Sequence, residues 1–292
     1  MNYEDFLKQK DYVLESSGFN IDKDKLNPML FDFQKDVVRW ALAKGRACIF
    51  AECGLGKTPM QLSWAHQVHL HTGGKVLILA PLSVADQTKR EAEKFHYNAK
   101  VCDKQEDCID GINITNYEKL DKFVANEFVG VVLDESSILK SYTGKVRTSI
   151  IENFQNVPYK LACTATPAPN DYMELGNHSE FCGVMTRSEM LSMFFVHDGG
   201  QTSKWRLKGH AKDVFWQWMA SWSVFIDNPS NLGYDGTDYE LPNLNIHEII
   251  VDGDEHSNEK LTLTERRNAR RDSIELKAQH IMNLLRDKNV IA

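Results

Sequence analysis

The sequence has no pair of cysteines spaced as CxxC. Its six cysteines stand at 48, 53, 102, 108, 163 and 182. Several fall inside apolar, strand-like runs, so reduced and buried thiols are expected. No apolar run approaches the length that spans a membrane. The opening stretch MNYEDFLKQKDY is charged and has no apolar signal region. A soluble, cytoplasmic protein with no membrane partner is the expectation. Internal repeats and low-complexity tracts are also missing. So is any excess of positive charge: a net charge of −7 argues against a general basic coat for nucleic acid and leaves room for a local basic groove. What is present is core-forming material. Hydrophobic residues make up 42% of the 292 and charged residues 26%, which excludes wholesale disorder and suits one large domain or two small ones.

Along the chain, residues 1–27 are polar and end before Pro28, and read as an appendage. Apolar spacing at Phe33, Val37, Val38 and Ala41 predicts an amphipathic helix stopped by Gly45. Strand-like runs follow at ACIFA, KVLILA, AKVC, INIT, GVVLDE and YKLACTAT, alternating with helical segments. Near-continuous apolar strands between helices indicate a parallel sheet covered on both faces. After about residue 185 the chain becomes aromatic-rich and helical in pattern. LPNLNIHEIIVD then reads as a connecting strand, and residues 261–287 as one long charged helix.

The segment AECGLGKTPM, residues 51–60, joins a strand to a helix through two glycines, a lysine and a threonine. Gly54 and Gly56 allow backbone conformations closed to other residues and let the chain approach a ligand. A helix starting near Lys57 aims its positive dipole end at the same point. Lys57 would then reach the β- and γ-phosphates of a nucleotide, and the Thr58 hydroxyl would hold Mg²⁺. Pro59 lies in the first turn, where its missing N–H costs little. The usual pattern has glycine at position 51, and here Ala51 stands there. A plain glycine turn between strand and helix is the alternative.

Hydrolysis needs carboxylates as well. VVLDESS delivers Asp134 at a strand tip, where it can hold Mg²⁺ through water, with Glu135 beside it to orient and deprotonate an attacking water. An acidic pair that merely opens a turn is the bland reading of these residues taken alone. TATP, residues 164–167, closes the next strand; its hydroxyls could bond the acid pair and couple phosphate loss to a nucleic-acid face, or the segment could be a strand end broken by proline. Gln34 could read an adenine edge through its amide, which donates and accepts at once, or simply face solvent.

FQ, ECGLGKT, LAPLSV, ITNYE, DESS and TATPAPN occur in the order and spacing of superfamily 2 helicases. ECGLGKT looks most like the Swi/Snf-type group, and DESS with TATPAPN looks like its phage and prophage members. The resemblance is dense over residues 28–185. It implies an α/β RecA-like lobe that binds ATP and Mg²⁺ and acts on DNA in a bacterial or phage-infected cell. It implies adenine recognition by Gln34 and phosphate contacts by the loop Cys53, Gly54, Leu55, Gly56, Lys57 and Thr58. Mg²⁺ and water chemistry fall to Thr58, Asp134 and Glu135, and coupling to Thr164 and Thr166. Pro81, Leu82 and Ser83, with Thr115, would line a strand-binding face that holds phosphates without reading sequence. Ser136-Ser137 departs from the Ala-His or Ala-Asp of the commoner box, and Ala165 is a small-residue variant between the two threonines.

Other features read more plainly. His66, His69 and His71 suit a solvated helix end better than a metal site. FWQWMASW has the spacing of a core stripe, with base stacking as the alternative. SKWRLKGH is a candidate nucleic-acid patch or a solvated loop. Residues 186–292 contain neither a second parallel-sheet pattern nor a Gln-initiated, twice-arginine motif. Arg266, Arg267, Arg270 and Arg271 lie on a helix of the kind that leads into a second lobe. The expectation is a lobe at 28–185, a helical extension at 186–240 and a connector at 241–292 toward a second RecA-like lobe in cis or trans, the whole being a gene fragment or split subunit. The function expected is DNA-dependent ATP hydrolysis coupled to movement. A nucleotide-dependent binding module with little turnover, or a small-molecule kinase, are the rivals.

Overall fold

The computed structural model of the chain describes residues 16–140, 144–198, 201–240 and 262–285. Residues 1–240 form one compact unit and residues 241–292 another. The first unit is built on strands β1 (Arg46–Ala51), β2 (Lys75–Ala80), β3 (Ala99–Val101), β4 (Ile112–Asn116), β5 (Phe128–Asp134), β6 (Tyr159–Thr164) and β9 (Ser223–Ile226). They run parallel in the order β3-β4-β2-β5-β6-β1-β9. A short antiparallel hairpin, β7 (Phe195–Asp198) with β8 (Gln201–Leu207), stands apart from this sheet.

Each apolar strand divides its side chains between two cores, because successive residues point to opposite faces. Along β1, Ala47, Ile49 and Ala51 enter one cluster, and Cys48 and Phe50 the other. The first cluster is closed by helices α1 (Asp32–Lys44), α2 (Lys57–Thr72) and α3 (Ala85–Lys94), through residues such as Val38, Trp64 and Ala92. The second is closed by α4 (Lys145–Asn153), α5 (Leu175–Cys182), α6 (Arg187–Phe194) and α7 (Lys212–Trp222), through Ile150, Phe181, Phe194 and Trp222. Burial on both faces is why the strands lack polar alternation. Gly45 ends α1 with φ of 74°, as its position predicts.

The aromatic segment FWQWMASW is a core stripe: Phe215, Trp218, Met219 and Trp222 of α7 are buried. The region after residue 185 is less purely helical than its composition suggests. It contributes the hairpin and also β9, which pairs with β1 as the seventh strand. Ser223 ends α7 in an extended conformation (φ −134°, ψ 152°), and the sheet edge captures it with the three residues that follow. The six cysteines are free thiols, four of them buried. Among the described residues no helix is long and apolar enough to cross a membrane.

In the second unit, Thr262 and Glu265 cap α8 (Leu263–Asp272) reciprocally. α9 (Ile274–Leu285) follows. The single long helix expected here is therefore two, divided at Ser273 (φ −80°, ψ −4°). Arg266, Arg267, Arg270 and Arg271 lie on α8 and are exposed. The expected connecting strand at 241–252 lies outside the described residues.

At the opposite end of the sheet from the glycine loop, Lys160 is 2% exposed. Its Nζ donates to the carbonyls of Gln155 at 3.1 Å and Phe181 at 3.0 Å, tying together the ends of two helical segments. Burial lowers its pKa from 10.5 to about 8. Between those values the unfolded chain keeps the proton that the folded chain releases, so raising the pH favours folding. Relative to a Lys160→Met variant, the wild type should gain stability from pH 8 to 10.5, and the difference should be flat below that range. Urea unfolding of both proteins across the range checks this; parallel curves would show that the buried amine does not titrate there.

Candidate functional site

The order β5-β6-β1 sets three strand ends side by side. Phe50 pairs with Thr164, and Asp134 with Cys163. The loop after β1, the acid pair after β5 and the TATP segment after β6 therefore meet at the carboxyl edge of the sheet, where open α/β folds take ligands. β2 lies on the far side of β5 and is followed by Pro81, Leu82 and Ser83, of which Leu82 and Ser83 are exposed.

The loop is built around two left-handed glycines, Gly54 with φ of 86° and Gly56 with φ of 77°. Gly56 is the N-cap of α2, and no side chain caps that helix. Its first N–H groups are thus left for an anion. A Cβ on Gly56 would lie 2.3 Å from Gln34 Nε2. Glu52, Cys53 and Gly54 are exposed, Leu55 is buried, and Gly56, Lys57 and Thr58 are half-buried. Lys57 folds over its own loop: Nζ donates to the Ala51 carbonyl at 2.9 Å and the Glu52 carbonyl at 3.3 Å.

Gln34 does not face solvent. It is 4% exposed, its Nε2 donates to the Leu55 carbonyl at 3.0 Å, and its Oε1 accepts from Phe31 N–H at 3.0 Å. The amide thus joins the start of α1 to the loop. An adenine would have to share or displace these bonds.

Asp134 is 7% exposed and accepts at Oδ1 from Gln61 Nε2 at 2.8 Å. Burial pushes its carboxyl pKa up, the Gln61 bond works against that, and the neighbouring Glu135 charge adds to it. Glu135 stands in the left-handed region with φ of 53°. Its Oε1 accepts from Thr164 Oγ1 at 2.8 Å and Ser137 Oγ at 3.0 Å. Thr164 Oγ1 also accepts from Thr166 N–H at 3.1 Å. The Thr166 side chain is exposed. Thr115, on β4, is 1% exposed and its hydroxyl has no partner, so backbone and not hydroxyl is what that strand end offers a ligand.

Sequence reasoning passed over Gln61, Asn177 and His178. Gln61 sits four residues beyond Lys57 on the buried face of α2. Asn177 and His178 belong to α5 and bond the turn Ser136–Lys140: Asn177 Nδ2 donates to the Leu139 carbonyl at 2.6 Å, and His178 Nε2 lies 3.0 Å from Ser136 Oγ. The readable signal was a polar run, GNHSE at 176–180, five residues after TATPAPN.

The donor set suits a nucleotide with a hard cation. An uncapped helix start faces anions, and a carboxylate and a hydroxyl are the oxygen ligands Mg²⁺ prefers. The parallel sheet, covered on both faces and carrying its motifs at the carboxyl edge, has the RecA-like fold. A family model for the type III restriction enzyme res subunit matches residues 27–169. Among solved structures, the chain is similar to the SWI2/SNF2 ATPase core of Sulfolobus solfataricus in complex with double-stranded DNA. That match has 19% identity and a TM-score of 0.58 over 71% of this chain and 46% of that one. The SWI2/SNF2 ATPase core domain of the same organism matches at 20% identity and a TM-score of 0.56, over 78% and 50%. The chain thus spans about half the length of these structures. No curated protein sequence matches it.

Gly56→Ala should cost about 1–3 kcal/mol from its left-handed backbone and should also break the Gln34–Leu55 bond. Adding Gln34→Ala to it should then cost little more, since residues sharing one contact are not additive. A urea-unfolding double-mutant cycle reads this, and strictly additive losses would show that Gly56 and Gln34 act independently.

Proposed function

We propose that this chain is the ATP-binding lobe of a nucleic-acid-dependent ATPase of the helicase type, coupling hydrolysis to movement on double-stranded DNA. The observation that carries the reading is the Glu135 carboxylate, held by the Thr164 and Ser137 hydroxyls beside Asp134, with only β6 between its strand and the one that leads into the Lys57 loop. Gly54, Gly56 and the start of α2 bind the phosphates. Lys57 leaves the Ala51 and Glu52 carbonyls for the β- and γ-phosphates, and Gln34 orients the base. Thr58 and Asp134 hold Mg²⁺, which when bound neutralises charge on the transferring phosphate. Glu135 orients the attacking water and takes its proton.

Thr164, bonded to both Glu135 and the Thr166 N–H, links the state of the acid pair to the TATP segment. Leu82 and Ser83 with the end of β4 form the backbone-reading face for a nucleic-acid strand, independent of sequence. DNA is favoured over RNA by the similarity to a SWI2/SNF2 core whose structure contains double-stranded DNA. Residues 241–292 lead to a second RecA-like lobe, in cis or trans, that supplies arginine to the γ-phosphate. The span of about half the neighbours' length supports that arrangement. A nucleotide-dependent clamp with little turnover is the second reading, favoured by the closed, self-bonded loop.

Lys57→Ala should abolish phosphate contact, whereas Glu135→Gln should keep ATP binding and lose turnover. Calorimetry with Mg²⁺ and a steady-state ATPase assay separate the two effects. Equal ATP affinity in wild type and Lys57→Ala would overturn the assignment. Nucleic-acid binding should weaken steeply as salt rises from about 50 to 200 mM, because the contacts are to phosphates. Filter binding that detects no DNA or RNA at low salt would favour the clamp.

A further inference from the structure

α5 has an unusual interior. Of its eight residues only Glu180 escapes burial, and three of the buried ones are Asn177, His178 and Ser179. A short helix gains nothing by burying polar groups unless they are bonded. Ser179 ties the helix to the segment that follows it, through the Met185 carbonyl at 2.8 Å. The other two reach the turn that follows the acid pair. Asn177 holds the Leu139 carbonyl and, at 3.4 Å, that of Lys140; His178 holds Ser136.

The same helix also grips the strand that feeds the glycine loop. The ring of His178 stands edge-on to Phe50, centroids 5.2 Å apart at 86°. One turn further along α5, Cys182 Sγ lies 3.5 Å from Cys48 Sγ. His178 therefore touches β1 just before the phosphate loop and the residue just after Glu135, and it belongs to the helix that follows TATPAPN. Glu135 holds a left-handed backbone, which is unfavourable for a residue with a Cβ and persists only where neighbours over-determine it. Ser136 is the next residue, fully buried, and its side chain has one bonded partner, His178.

Resting on the ATPase reading above, we propose that His178 is a positioning residue for Glu135. It acts through the Ser136 hydroxyl to fix the peptide after Glu135, and through Phe50 it keeps that turn in register with the strand of the phosphate loop. An apolar residue would fill the same space. Only a ring nitrogen or an equivalent polar group would also fix Ser136. Hence the bond, and not the packing, is what the position requires. Burial keeps the imidazole neutral near pH 7, its pKa lowered to about 4, so no charge is trapped beneath the site.

The test uses the whole chain and four variants: His178→Phe, Ser136→Ala, the two combined, and His178→Gln. Three quantities are measured: ATP affinity with Mg²⁺, single-turnover hydrolysis rate, and hydrogen–deuterium exchange of the amides of residues 135–140. Each of the first two variants should keep wild-type affinity, slow turnover about 10- to 100-fold and speed exchange in that turn. The combined variant should be no slower than either alone, because the pair acts as one unit. His178→Gln, which can still bond Ser136, should recover part of the rate. Turnover at the wild-type rate in a folded His178→Phe protein would overturn the proposal. So would affinity and turnover falling together with thermal stability in all four variants. Should His178→Phe fail to fold, Ser136→Ala decides alone. If the wild type does not hydrolyse ATP, the exchange data still decide. Faster exchange at 135–140 with melting unchanged means that the positioning is right and the ATPase reading wrong. Unchanged exchange means that the positioning itself is wrong.

Discussion

The bond from the Thr164 hydroxyl to the Glu135 carboxylate exists because β6 lies between β1 and β5 in unbroken parallel register. A slip of one residue would send every side chain of β6 to the opposite face and take Thr164 away from the acid. The register is in turn held by the two cores, since Leu161 and Cys163 belong to one and Ala162 to the other. Packing on both faces of the sheet is thus what places a hydroxyl against a carboxylate at its edge. The chemistry at that edge is a consequence of burial several residues below it.

The site combines strain with satisfaction. Gly54, Gly56 and Glu135 all have positive φ within the same edge of the sheet. Around them the polar groups are largely bonded: Gln34 to Leu55 and Phe31, Gln61 to Asp134, Ser137 and Thr164 to Glu135. Surroundings that over-determine a local conformation allow an unfavourable backbone to persist, and here they come from four different elements. The aromatic-rich segment after residue 185 is part of that support, because Trp222 and Phe194 sit in the core that backs α5.

Much of this was legible in the sequence where a local rule decides the outcome. Gly45, Gly56, Lys57 and the apolar run ending at Asp134 each mark a boundary by their own conformational or burial preference, and the sheet follows from their alternation. What was not legible depends on partners distant in sequence. β9 is only four residues long and becomes a strand because the edge of β1 is open to it. Gln34 looked as though it could be a surface residue because nothing local announces that Leu55 will lie within reach. Sequence reasoning passed over the polar run at 176–180, whose Asn177 and His178 are buried against the 136–140 turn. At Ser273 the helical pattern continues in sequence while the helix does not.

Lys57 has one further consequence. Its ammonium is solvated by two carbonyls of the loop it belongs to. The loop therefore holds no stranded charge. On the proposed ATPase reading, phosphate binding would exchange one set of oxygens for another, so affinity would reflect a difference between two coordinated states.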